Sequence, residues 1–129
     1  MSALPSKFQS KGGTYFSAKA AATITQCYAL MLDDDGEFAL ATADNLISGI
    51  ASNDYVTGDV VACHRGGHSV VALTGTAVAG DYVEVSATPG VLQADGTSGS
   101  TAVSLGTVGK LTSDKDADGL AWCDFSMGR

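Results

Sequence analysis

Long apolar runs are missing from this 129-residue sequence: its most apolar stretch, Ala18 to Leu32, is interrupted by Lys19, Thr23, Thr25 and Gln26. A membrane span needs about 20 consecutive apolar residues, so no membrane partner is expected. Proline occurs only twice and no apolar heptad is sustained, whereas 16 glycines, 13 serines and 12 threonines are scattered throughout. That balance argues against a helical bundle or coiled coil and for strands joined by turns. The three cysteines, Cys27, Cys63 and Cys123, are odd in number and lack a Cys-x-x-Cys spacing. They suit small, half-buried reduced thiols better than a disulfide framework. The first 13 residues carry lysines without an apolar block, so no export signal is indicated and a cytosolic assembly compartment is expected.

Large side chains are also scarce. Against 19 alanines stand 10 leucines, four phenylalanines, three isoleucines and one tryptophan. A chain of this length forms one domain that buries about two thirds of its surface, but a core of small residues is thin. Burying more surface against identical copies would offset that, because apolar burial contributes about 25 cal/mol per Å². Oligomerisation follows as an expectation.

Basic charge is nearly absent from most of the chain. Residues 1–32 contain Lys7, Lys11 and Lys19 and no acid, whereas residues 33–129 hold all 14 acids against four bases, a balance of −10. An acidic body repels phosphate backbones, so no nucleic-acid partner is expected. The basic, Ser- and Gly-rich beginning reads as an extended N-terminal arm, residues 1–20, ahead of a single β-rich domain, residues 21–129. Such an arm orders on a partner or frays in solvent. Its charges and isolated aromatics make Lys7, Phe8, Lys11, Tyr15, Phe16 and Lys19 the candidate contact residues.

The body reads as short strands at regular spacing. Ala22–Leu32 mixes strand formers with Ala, a helix over Ala18–Leu32 being the competing reading. It ends at the Asp33-Asp34-Asp35-Gly36 turn, with Glu37–Ala41 as the returning strand. Ser48–Ala51, Thr57–Ala62, Ser69–Leu73 and Asp81–Val85 follow, each bounded by Gly, Asn or Asp. In the last, Val83 and Val85 share one face while Tyr82, Glu84 and Ser86 share the other. A weak echo relates Val56–Val61 to Val78–Val83, each Gly-Asp pair marking a tight turn. Gln93–Thr101 reads as an exposed loop, Val103–Leu111 as a strand, Asp114–Gly119 as a turn and Leu120–Phe125 as a closing strand. The fold class is all-β, a small antiparallel β-barrel or β-sandwich.

Few residues suggest chemistry. Cys63-His64 with His68 completes neither a nucleophile–base–orienter set nor four zinc ligands, and adjacent strand residues point apart. A solvated hairpin end at Gly66-Gly67 is the simpler reading. Asp114–Gly119 resembles half a calcium loop, but the position that needs a bidentate Glu is Phe125. No catalytic residue, metal or cofactor is expected, and the protein is not expected to be an enzyme.

Certain steps in the chain do form a pattern: the Ala29–Gly36 strand and D-G turn, Gly49-Ile50-Ala51, Gly58-Asp59-Val60-Val61, Gly80-Asp81-Tyr82-Val83, Gly90-Val91 and Val108-Gly109. Over Ala22 to Asp124 this resembles the small capsid decoration, or cement, proteins of tailed bacteriophages. The resemblance implies a β-rich domain on the outer surface of a virion head, often a homotrimer, clamping neighbouring major capsid protein subunits. No catalytic residue carries over. The alternative is a ligand- or carbohydrate-binding β-domain on a virus or cell surface, which needs exposed aromatics; Tyr15, Tyr28, Tyr55, Tyr82 and Trp122 are available, with Trp122 expected in a buried strand.

Overall fold

The computed structural model describes residues 8–43, 47–94 and 107–125. In chain order the strands are β1 (Ser10–Lys11), β2 (Thr14–Lys19), β3 (Ala29–Leu32), β4 (Phe38–Leu40), β5 (Gly49–Ala51), β6 (Val60–Arg65), β7 (His68–Ala72), β8 (Tyr82–Val85), β9 (Leu92–Ala94), β10 (Gly109–Leu111) and β11 (Leu120–Asp124). They form a six-stranded sheet, β1-β7-β11-β10-β8-β9, and a five-stranded sheet, β2-β6-β5-β3-β4, with antiparallel neighbours throughout. The fold is all-β and sandwich-like, without barrel closure. No helix forms among the described residues, which settles Ala18–Leu32 against helix.

The main core lies between the sheets. Ala29 and Ile50 from the smaller sheet pack with Val71, Val83, Val85, Leu92, Leu111, Ala121 and Cys123 from the larger one. Strand alternation sends Leu30, Ala51, Val61 and Cys63 to the other face of the smaller sheet. There they bury Phe38, Ala20 and Ile24, with Phe16, Ala18, Leu40 and Tyr55 alongside. The smaller sheet curls around this second cluster until its two edges touch: Ala20 bridges Phe38, and the Ala21 N–H donates to the Phe38 carbonyl at 2.8 Å. One bridge is too little to make a continuous ladder.

The turns explain the acidic clusters. Asp33 Oδ1 accepts the N–H groups of Asp35 and Glu37 at 2.9 and 3.0 Å, and Asp116 Oδ1 accepts those of Asp118 and Leu120 at 2.8 and 2.9 Å. The leading carboxylate of each D-x-D-G turn is thus engaged by backbone. The Val56/Val78 echo is likewise one turn built twice: Val56 N–H donates to Asp59 Oδ2 at 2.9 Å, and Val78 N–H to Asp81 Oδ2 at 3.0 Å.

Three segments differ from the sequence expectation. Within the extended arm, to which the sequence reading assigns no regular element, β1 and β2 occupy Ser10–Lys11 and Thr14–Lys19, pairing with β7 and β6. Within Ala22–Leu32 only Ala29–Leu32 is strand, because Cys27 joins the two sheets. Its N–H donates to Ala51 O at 2.9 Å and its carbonyl accepts from Ala72 N–H at 3.0 Å, which bends the chain to a φ of 71°. Thr57–Asp59 is turn, and the strand runs instead from Val60 to Arg65. Of the expected Gln93–Thr101 loop, Gln93 and Ala94 belong to β9 and residues 95–101 lie outside the described residues; of Val103–Leu111, residues 103–106 do too.

Candidate functional site

The six candidate contact residues separate into four groups. Lys7 lies outside the described residues. Phe8 and Phe16 are structural. The Phe8 N–H donates to Gln26 Oε1 at 2.9 Å and its ring packs on the core and, edge on, against His64 at 6.0 Å. Phe16 faces the second cluster with its ring 5.3 Å from that of Phe38. Tyr15 and Lys19 are exposed on the opposite side of β2 from Phe16. Through the β2–β6 register they stand with Ser17 beside Ala62 and Val60. Tyr15 is 54% exposed and Val60 66%, so this sheet edge carries an apolar and basic strip. Lys11 belongs to the other sheet, where its ammonium sits 5.5 Å from the Trp122 ring centroid.

His64 is 1% exposed, which corrects the expectation of a solvated hairpin end. The chain changes sheets twice at one place, at Gly12-Gly13 between β1 and β2 and at Gly66-Gly67 between β6 and β7. The crossings press together over His64: its Nε2 lies 2.8 Å from Gly12 O, and the Tyr15 ring stands edge on at 5.0 Å. Covering by residues 8–15, fifty residues away in sequence, is what a local reading misses.

Cys63 and His64 do point apart. Cys63 packs in the second cluster, and burial pushes its thiol up to about 12, with Arg65 pulling weakly the other way. Burial likewise pushes Cys27 up to about 12, with the carboxylates of Asp54 and Asp116 adding to it, and raises Cys123. No thiol is poised as a nucleophile. At pH 8 all three are expected to resist Ellman's reagent in the native protein and to react fully in denaturant; a fast-reacting native thiol would overturn this burial. Because unfolded thiols release protons near 9.0 while folded ones hold them to about 12, stability contributed by the thiols is present below pH 9 and lost as pH rises above it.

Trp122 is the residue that sequence reasoning misplaced. Its neighbours Ala121 and Cys123 face the inter-sheet core, so the indole stands half-buried on the outward face of the six-stranded sheet. Lys11, His68, Thr112, Ser113 and Trp122 line an open groove of about 360 Å³ there. Asp124 pairs with His68 at 3.8 Å, and Lys110 lies 5.4 Å over the Tyr82 ring on the same face. Among the described residues, no group of three or more His, Cys, Asp or Glu is placed to hold a metal ion.

The architecture has a counterpart among solved structures. The chain is similar in fold to the N base of head fiber gp8.5 of bacteriophage phi29, with a TM-score of 0.68 and 17% sequence identity, over 88% of this chain and 93% of that one. No family model and no curated protein matches the sequence.

Proposed function

We propose that this chain is a structural protein of a phage head, bound to the outer surface of the virion, where it bridges major capsid protein subunits and strengthens the shell. The observation that carries this reading is the likeness in fold, over 88% of the chain, to the phi29 head-fiber base. The core, in which Ala, Val and Cys outnumber Ile, Leu and Phe, supports it, since further burial against the shell or against identical copies adds stability. Its output is adhesion, with no catalytic turnover. Many copies bridging neighbouring subunits act multivalently, because separating the subunits requires several contacts to break together.

The contact surface in this reading is the edge strip of Tyr15, Ser17, Lys19 and Val60. The test is addition of purified protein to phage heads lacking it, with occupancy and position read by cryo-electron microscopy. Saturable binding as threefold clusters on the outer shell is expected, and the Tyr15→Ala/Lys19→Glu double variant is expected to bind at least tenfold more weakly. Absence of binding overturns the function; undiminished binding by the folded double variant overturns the assigned surface.

A further inference from the structure

The outward face of the six-stranded sheet has features that head binding through the β2 edge does not use. Trp122 projects between Val70 on β7 and Thr112 just after β10, held on its inner side by the cluster of Cys27, Val70 and Ala72. Around its open side stand one ammonium, one imidazole and two hydroxyls, those of Lys11, His68, Thr112 and Ser113. A rigid indole face ringed by hydrogen-bonding groups matches a sugar ring, whose C–H face packs on an aromatic while its hydroxyls bond at the rim.

Charge narrows the class. This face holds two of the chain's five lysines, each lying over an aromatic ring, Lys11 over Trp122 and Lys110 over Tyr82, while the carboxylates beside them are engaged, Asp124 with His68 and Glu84 by the Gln93 amide. In each pair the ammonium covers a ring face whose electron-rich quadrupole attracts it. On its flexible stem the lysine can swing to the ring edge and meet an anion when a sugar takes its place. Register puts the two aromatics two strands apart and two residues apart along them, about 12 Å, the reach of a short oligosaccharide. No arginine fork lines the groove, and His68 is already paired with Asp124, which suits a single carboxylate per sugar better than a phosphate ester. We infer that the Trp122 groove binds a carboxylate-bearing saccharide, with the indole as stacking platform and Lys11 as the carboxylate's partner.

Trp122 is the sole tryptophan, so intrinsic fluorescence reports on this groove alone. The experiment titrates the full chain with a galacturonic acid tetrasaccharide and, in parallel, with the neutral galactose tetrasaccharide. A saturable emission change with the uronate, at least tenfold weaker affinity for the neutral sugar, and weakening with added salt are expected. Lys11→Gln is expected to cost at least fivefold in uronate affinity without changing the melting temperature. Calorimetry of Trp122→Phe is expected to show binding lost. No emission change at millimolar uronate overturns the site. Equal affinity for the neutral sugar, or for Lys11→Gln, overturns the anionic class. None of these results bears on occupancy of phage heads, so the two readings fail separately.

Discussion

Gly67→Ala is expected to cost about 4 kcal/mol of folding stability, most of the margin of a domain whose total lies near the low end of ~5–15 kcal/mol. A Cβ there would lie 2.4 Å from Lys11 O and 2.7 Å from both Gly12 C and Gly13 N, all backbone atoms of the facing crossing. The residue also has a φ of +57°. A left-handed conformation alone costs a non-glycine residue about 1–2 kcal/mol, and forcing two packed backbones apart adds about 1–3 more. Gly36→Ala separates the two effects. Its φ is +75°, but nothing lies within 4 Å of the added carbon, so only the first cost, about 1 kcal/mol, is expected. Urea denaturation of both variants measures the difference. Equal losses would show that contact between the two glycine crossings does not hold the sheets in place.

Phe38→Ala should lose about 3–5 kcal/mol, the range for emptying a fully buried aromatic site. Phe38 is the largest fully buried side chain, and it fills the second cluster within the curled smaller sheet. Its ring touches Phe16 from the opposite edge strand, and its backbone makes the one bridge between those edges. Phe38→Leu, which retains much of the volume, is expected to cost about half as much. Equilibrium denaturation checks both. A loss under about 1 kcal/mol for the alanine variant would mean that the cluster collapses around the gap and the curl does not depend on this ring.

Much of this fold was legible in the residues, for reasons that are local. Tyr82–Val85 alternates cleanly because one face meets the core and the other does not. The D-G and G-D turns are marked by residues that tolerate positive φ and by carboxylates that bond their own backbone. What escaped was set by distant partners. β1 and β2 are short and largely polar on their exposed side, and they become strands only because β7 and β6 offer edges. Trp122 was expected inside because large apolar residues usually are. Alternation along β11 turns Ala121 and Cys123 inward to the core that holds Ile50, Leu111 and Phe125, so the indole falls on the outer face. The candidate contact strip was half visible: charge and aromaticity singled out Tyr15 and Lys19, but only strand pairing showed Phe8 and Phe16 to be core and added Val60.

The place of β11 in the larger sheet has a consequence for biosynthesis. The strand nearest the C-terminal end of the described chain lies in the interior of its sheet, hydrogen-bonded to β7 on one side and β10 on the other. Until residues 120–124 have emerged from the ribosome, β7 and β10 lack their shared neighbour and the larger sheet stays in two pieces, β1-β7 and β10-β8-β9. The nascent chain must therefore wait, with unpaired edges, for its final ladder to arrive. Such long-range closure is slow, so newly made copies expose unpaired strand edges until β11 docks.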